Sequence, residues 1–143
     1  MNLKGKPLLA YVAGIFDGEG SISISARESH GYRTIGVSIC VVNTKEWLIT
    51  FLKMQFGGYI YFRDTPESQH KNSWQWTKQG KKAVEFLELI LPYLQLKRPQ
   101  AELAIQFQNR KRLGRHSLET QDEAKALEEA DRLTMGSYNK RGK

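Results

Sequence analysis

Apolar and polar positions change period several times along the 143-residue chain, and each change marks a predicted element. Over 7–17, Leu8, Leu9, Tyr11, Val12, Ile15 and Phe16 recur at helical spacing behind Pro7, which suits a first helical turn, and Gly18 and Gly20 close the segment. The period then drops to two. Ile22, Ile24 and Ala26 alternate with Ser21, Ser23, Ser25 and Arg27, and over 33–42 Ile35, Val37, Ile39 and Val41 alternate with Thr34, Gly36, Ser38 and Cys40. The two runs predict a hairpin turning at His30-Gly31. Helical spacing returns over 44–56 through Trp47, Leu48, Phe51, Leu52 and Gln55, with Thr44 as N-cap and Gly57-Gly58 as the stop.

Two further strands follow, over 59–63 and 73–77, joined by a polar, mobile loop over 64–72. Trp74 and Trp76 are assigned to the core face and Gln75 to the opposite one. Helices are predicted over 81–91, ended by Pro92, over 98–112, and over 119–133, with the last ten residues frayed. The expected architecture is α+β, a four-stranded antiparallel sheet with helices on one face. Residues 1–118 form its single domain, and 119–143 add an acidic helix with a basic tail. Leu127, Ala130 and Leu133 offer that last helix an apolar edge toward the core.

The open face of such a sheet carries serines, threonines, tyrosines, Gln75 and arginines, with no acid on the four strand faces. That pattern fits a nucleic-acid groove, although an ordinary solvated face has the same look. Charge adds weight to the first reading. The chain carries 22 Lys plus Arg against 15 Asp plus Glu, a net charge of +7. Residues 1–118 hold 17 basic and 9 acidic side chains, whereas 119–143 hold 5 and 6. The basic character therefore belongs to the body, and a polyanionic partner is favoured. The clusters at Arg110-Lys111-Arg112 with Arg115, and at the tail, are equally read as solvated ends.

Cys40 is the single cysteine, which excludes an intrachain disulfide and Cys-rich zinc sites and suits a reducing intracellular setting. No apolar run reaches the roughly 18 residues needed to span a bilayer, so no membrane partner is expected. Lys4 and Lys6 before an apolar run mimic a signal peptide, but Asp17 and Glu19 fall where cleavage would occur, so the chain is not expected to be secreted.

Ala10, Gly14 and Gly18 lie four apart on the first helix with Ala13 beside them, so another backbone can approach closely there. If that partner is the same helix of a second copy, two carboxylates meet near the axis, and a hard divalent cation would relieve their repulsion. The spacing leaves plainer readings open. Asp17 can cap a neighbouring helix, and Glu19 can be an exposed turn residue.

Residues 11–22, YVAGIFDGEGSI, resemble the LAGLIDADG motif of homing endonucleases. Asn43, the FGGYI run from Phe56, Gly80-Lys81-Lys82-Ala83 and the LPYLQLKRPQA run from Leu91 are similar to later blocks of that family, in order, over about residues 8–110. The resemblance implies the αββαββα LAGLIDADG fold with a saddle-shaped sheet. One motif implies a homodimer making site-specific double-strand cuts in a long, nearly palindromic DNA site. It further implies Mg2+, with Mn2+ as an alternative, held by the Glu19 carboxylate and the Gly18 carbonyl, while Asp17 supports helix ends at the dimer axis. Glu19 stands where Asp is commoner, and Asn43 where the family often has Gln, so metal geometry and reach toward water are the points of departure. Lys97 matches the family's basic residue near the reacting phosphate; without the resemblance, Asn43 reads as a helix N-cap or turn residue and Lys97 as a cation near the start of a surface helix.

The expected catalytic set is thus Glu19, Asn43 and Lys97, and the expected dimer interface is Ala10, Ala13, Gly14, Asp17 and Gly18. DNA contacts are expected from Ser23, Ser25, Arg27, Arg33, Thr34 and Ser38 of the first hairpin, and from Tyr59, Tyr61, Arg63, Ser73, Gln75 and Thr77 of the second. Two alternatives accompany this reading. The same fold can serve as an RNA maturase acting on an intron, or as a non-cleaving DNA-binding regulator. A third hypothesis, of another class, is a small α/β protein-interaction module with a basic surface.

Overall fold

Alternation in the first hairpin sends Ile22, Ile24, Ile35, Val37, Ile39 and Val41 to one face of the sheet, where none exceeds 5% exposure. The computed structural model describes residues 3–64, 72–112 and 118–140. In chain order it contains α1 (Gly5–Glu19), β1 (Gly20–Ser29), β2 (Tyr32–Asn43), α2 (Glu46–Phe56), β3 (Tyr59–Arg63), β4 (Ser73–Gln79) and α3 (Gly80–Ile90). A short 3-10 turn at Leu91–Tyr93, then α4 (Arg98–Arg112) and α5 (Leu118–Tyr138), complete it. The four strands lie in the order β1-β2-β4-β3, every neighbouring pair antiparallel. Most of the polar segment expected as a loop over 64–72 lies outside the described residues.

The apolar face is covered by helices. Val12, Ala13 and Phe16 of α1, Phe86, Leu87 and Ile90 of α3, and Ala101, Ala104 and Phe107 of α4 are buried in one cluster with the strand residues. Phe86 is its aromatic centre, with the rings of Phe16, Phe56 and Trp76 at 5.7, 5.0 and 5.0 Å, all edge-on. Such pairs add about 0.5–1.5 kcal/mol each beyond the area they bury. Trp76 is fully buried and donates its indole N–H to the Gly57 carbonyl at 2.7 Å. Trp74 is only half-buried, against the exposed ring of Phe62 at 5.1 Å.

Turns fix the register. His30 and Gly31 both have positive φ, the geometry of a two-residue hairpin turn, and Ser29 pairs with Tyr32 across it. At Gly58, φ is +98° and a Cβ would stand 2.7 Å from the Thr77 carbonyl, so only glycine lets β3 start this close to β4. The start of α2 differs from expectation. Thr44 is not its cap; instead the Asn43 side-chain oxygen accepts the Lys45 N–H at 2.8 Å, and the helix begins at Glu46. At the other end of α2, the Lys78 ammonium donates to the Phe56 carbonyl, and burial pushes the Lys78 pKa down.

α5 also differs. Its expected apolar edge faces solvent, with Leu127 49% and Leu133 60% exposed and Ala130 exposed, while Met135 enters the core. Polar contacts do most of the attaching: Arg33 donates to Glu129 at 3.2 Å, Arg110 pairs with the buried Asp131, and Asn139 donates to the Ile22 carbonyl at 2.7 Å. The last of these lies in the stretch expected to fray, and the helix runs on to Tyr138 because its end is tied to the outer edge of β1. Among the described residues no helix is long and apolar enough to cross a membrane.

The ion pairs set an acid response. The hydrogen bond from Arg132, the largest influence, together with one from Arg33 holds the Glu129 carboxyl below its ordinary range against an upward push from burial. Its folded pKa is therefore below its unfolded one, so its contribution is complete above the unfolded value of about 4.3 and is lost as pH falls through the folded value. Asp131 acts oppositely, because burial raises its pKa more than Arg110 lowers it. Glu129→Gln removes the first response and leaves the second. The expected outcome is that urea midpoints of wild type fall more between about pH 5 and pH 3 than those of Glu129→Gln; parallel curves would show that Glu129 carries no acid response.

Candidate functional site

The face of the sheet turned away from the helices is built by register. Rows of side chains cross it: Ser21, Cys40, Thr77 and Tyr59 in one, Ser23, Ser38 and Gln79 in another, Gln75 with Tyr61 and Ser73 with Arg63 beyond. Ser25 and Arg27 stand opposite Gly36 and Thr34. None of these positions is acidic. Tyr59 and Tyr61 are 68% and 54% exposed, and Arg27, Thr34 and Arg63 are exposed, so this surface is open to a partner. The Ser23 and Ser38 hydroxyls bond each other at 2.8 Å, and the Ser21 hydroxyl lies 3.0 Å from the Cys40 sulfur.

Two of the expected contact residues are placed otherwise. Arg33 shares the parity of Ile35 and Val37, so it lies on the helix side and pairs with Glu129. Thr77 keeps the expected face but is 7% exposed, and its hydroxyl donates to the Ile39 carbonyl at 2.9 Å. Gln79 was missed because β4 runs two residues past the expected Thr77; the alternation simply continues.

The second half of the site is the C-terminal end of α1. The Asp17 carboxylate accepts the backbone N–H groups of Gln95 at 2.8 Å, Leu96 at 3.1 Å and Lys97 at 3.0 Å. Both its oxygens are thereby occupied in capping the turn that enters α4. Lys97 returns the contact, its ammonium donating to the Asp17 carbonyl at 3.0 Å, where the end of α1 presents unsatisfied carbonyls. The plainer reading of Asp17 as a cap is thus the geometry found within one chain.

Two residues on, Glu19 ends α1, exposed and without a hydrogen-bond partner among the described residues. Gly20 pairs with Val41, so Asn43, two positions further along β2, lies at the same end of the sheet. Its side-chain oxygen is engaged in the turn into α2, which leaves the amide N–H donors for other work. Among the described residues no three His, Cys, Asp or Glu side chains form a metal cage.

Along α1, Ala10, Gly14 and Gly18 form an exposed stripe, and a Cβ at Gly14 would meet nothing within 4 Å. Ala13, expected beside them in an interface, is fully buried in the chain's own core. Tyr11 next to the stripe packs edge-on against Phe51 of α2 at 6.3 Å.

No family model matches the sequence, and no curated protein matches it. Solved structures do match. The homing endonuclease I-CvuI, bound to a DNA target in 2 mM Mg with the DNA not cleaved, superposes with a TM-score of 0.76 at 21% identity, over 96% of this chain and 85% of that one. The archaeal intron-encoded homing endonuclease I-Vdi141I, complexed with DNA, gives 0.73 at 14% identity, over 98% and 89%. The LAGLIDADG homing endonuclease I-GzeII, in complex with a DNA target, gives 0.66 at 16% identity, over 87% of this chain but 43% of that one. The chain has the fold of the LAGLIDADG homing endonucleases.

The Asp17 latch generates a test within the single chain. Asp17→Ala strands three backbone donors and is expected to lower unfolding stability by about 1–2 kcal/mol, with Asp17→Asn, which keeps one acceptor, costing less. Equal stability of all three proteins in urea titrations would contradict the cap.

Proposed function

We propose that the chain is a single-motif LAGLIDADG homing endonuclease, a homodimer that makes site-specific double-strand cuts in DNA with a divalent metal ion. One observation carries the reading: a polar sheet face with no acid among the described residues ends beside the Glu19 carboxylate, unpartnered among those residues, at the foot of an exposed small-residue helix stripe. The face supplies a surface for a major groove. Arg27 and Arg63 offer guanine or phosphate contacts, Gln75 and Gln79 offer paired donors and acceptors to adenine, and Ser and Tyr hydroxyls bridge through water.

The stripe supplies the dimer. Apposing Ala10, Gly14 and Gly18 with their copies would let two α1 helices cross closely and bring two Glu19 carboxylates together. A divalent cation fits that arrangement as a half-site per chain, because Glu19 is the unengaged carboxylate there and Asp17 is fully occupied. When held by the Glu19 carboxylates and Gly18 carbonyls, Mg2+ or Mn2+ would polarise the scissile phosphodiester and lower the pKa of an attacking water. Lys97 positions its ammonium against the last turn of α1, where it can offset charge growing on the phosphate. Asn43 can orient water through its amide N–H.

Glu19→Gln is expected to lower cutting in magnesium by about 100-fold or more while duplex affinity in calcium changes little. Retained cutting would remove Glu19 from the metal site, and tight specific binding by a wild type that never cuts would establish the non-cleaving reading instead.

Gly14→Leu has room within one chain but not between two crossing helices. Sedimentation is expected to show a folded monomer; an unchanged dimer would place the interface elsewhere.

A further inference from the structure

Pairing between β2 and β4 stops at Ser38 opposite Gln79, so residues 32–37 of β2 have no strand on that side among the described residues. A notch of about 280 Å³ opens there, lined among others by Ser25, Arg27, Thr34, Gly36, Gln79 and Lys111, and by no carboxylate among the described residues. Its floor is bare backbone at Gly36, where a Cβ would meet nothing within 4 Å.

The charges around the notch are unbalanced. On the helix side Arg33, Arg110 and Arg132 each have a carboxylate partner. Arg27 and Lys111, which flank the notch, have none among the described residues. Lys111 is half-buried, donates to the open-edge carbonyl of Ile35 and lies 5.2 Å over the Phe107 ring. Those contacts anchor the ammonium from below, yet it has three donors and the carbonyl takes one. A partly desolvated cation held without a counter-charge is stabilised by an incoming anion. The first turn of α3, which opens beside the notch, adds Lys81 and Lys82 and no acid.

We propose that the notch is a phosphodiester-binding site, taking one backbone phosphate of the docked duplex in each half-site between Arg27 and Lys111. The inference rests on the DNA-binding reading of the polar face and adds to it what sets the register of the duplex along the sheet. Two cations and hydroxyl donors around a glycine floor suit a charged oxygen cluster better than a base edge, and phosphate contacts position a duplex without reading its sequence.

The test uses the duplex that the wild-type protein selects from a random pool in calcium. Gly36→Glu places a carboxylate in the notch and Gly36→Gln is its uncharged control, while Lys111 keeps its hold on the Ile35 carbonyl in both. Gly36→Glu is expected to bind at least about 10-fold more weakly than Gly36→Gln, and Arg27→Gln to lower the salt slope by about 1 with base preference unchanged. Replacing single phosphates by neutral methylphosphonates is expected to reveal one position per half-site that weakens wild type but not Gly36→Glu. Equal affinity of the two Gly36 variants, or a changed base preference with an unchanged slope for Arg27→Gln, would overturn the phosphate site while leaving DNA binding intact. A wild type that selects no duplex would overturn both readings together.

Discussion

The carboxylate of Asp17 organises the end of the molecule where chemistry would occur. By accepting three successive backbone N–H groups it ties the last turn of α1 to the entry of α4, and Lys97 closes the loop by donating to the carbonyl of Asp17 itself. A carboxylate at a helix C-terminus opposes the helix dipole, at about 0.3–1 kcal/mol, and the cap and the returned ammonium offset that cost. The consequence is a division of labour between neighbours. Both oxygens of Asp17 are engaged, whereas those of Glu19, two residues later, have no hydrogen-bond partner among the described residues.

The sheet obeys a second constraint, that each strand has one face for the helices and one for solvent. Pairing Gly20 with Val41 and Ser38 with Gln79 sets every later residue to its face, so a polar surface without acids is a consequence of register rather than of local composition. The same rule removes Arg33 from that surface and delivers it to Glu129. Charge is therefore divided by face: Arg33 and Arg110 on the helix side are paired with carboxylates of α5, and Arg27 and Arg63 on the open side have no ion-pair partner among the described residues.

The elements legible in the sequence are those whose period is strong. The alternation over the hairpins and the helical spacing of α1 announced their own faces, and the DGEG segment announced the end of α1. What stayed hidden depends on contacts distant in sequence. Nothing local distinguishes Thr77 from Gln75, yet the Ile39 carbonyl captures the Thr77 hydroxyl and its neighbours cover it. Likewise the apolar look of Leu127, Ala130 and Leu133 suggested a buried edge, whereas α5 is turned by its ion pairs and by Asn139 on the Ile22 carbonyl, leaving Met135 as its inserted side chain. A helix attached mainly through polar groups has a weak apolar period, which is why its facing was not readable.

These features connect through the outer strands. β1 is an edge, and its outward carbonyl at Ile22 is met by Asn139; β2 becomes an edge beyond Gln79, and its carbonyl at Ile35 is met by Lys111. Unpaired strand edges invite non-native pairing, and side chains brought from α5 and α4 block both. At β2 the blocking group is a cation without a carboxylate, so the device that protects the edge also leaves positive charge beside the polar face. Edge protection by a neutral side chain, as at Ile22, would have left Arg27 as the single cation lining the notch among the described residues; the lysine makes the same contact and supplies a second positive charge for an anion to meet.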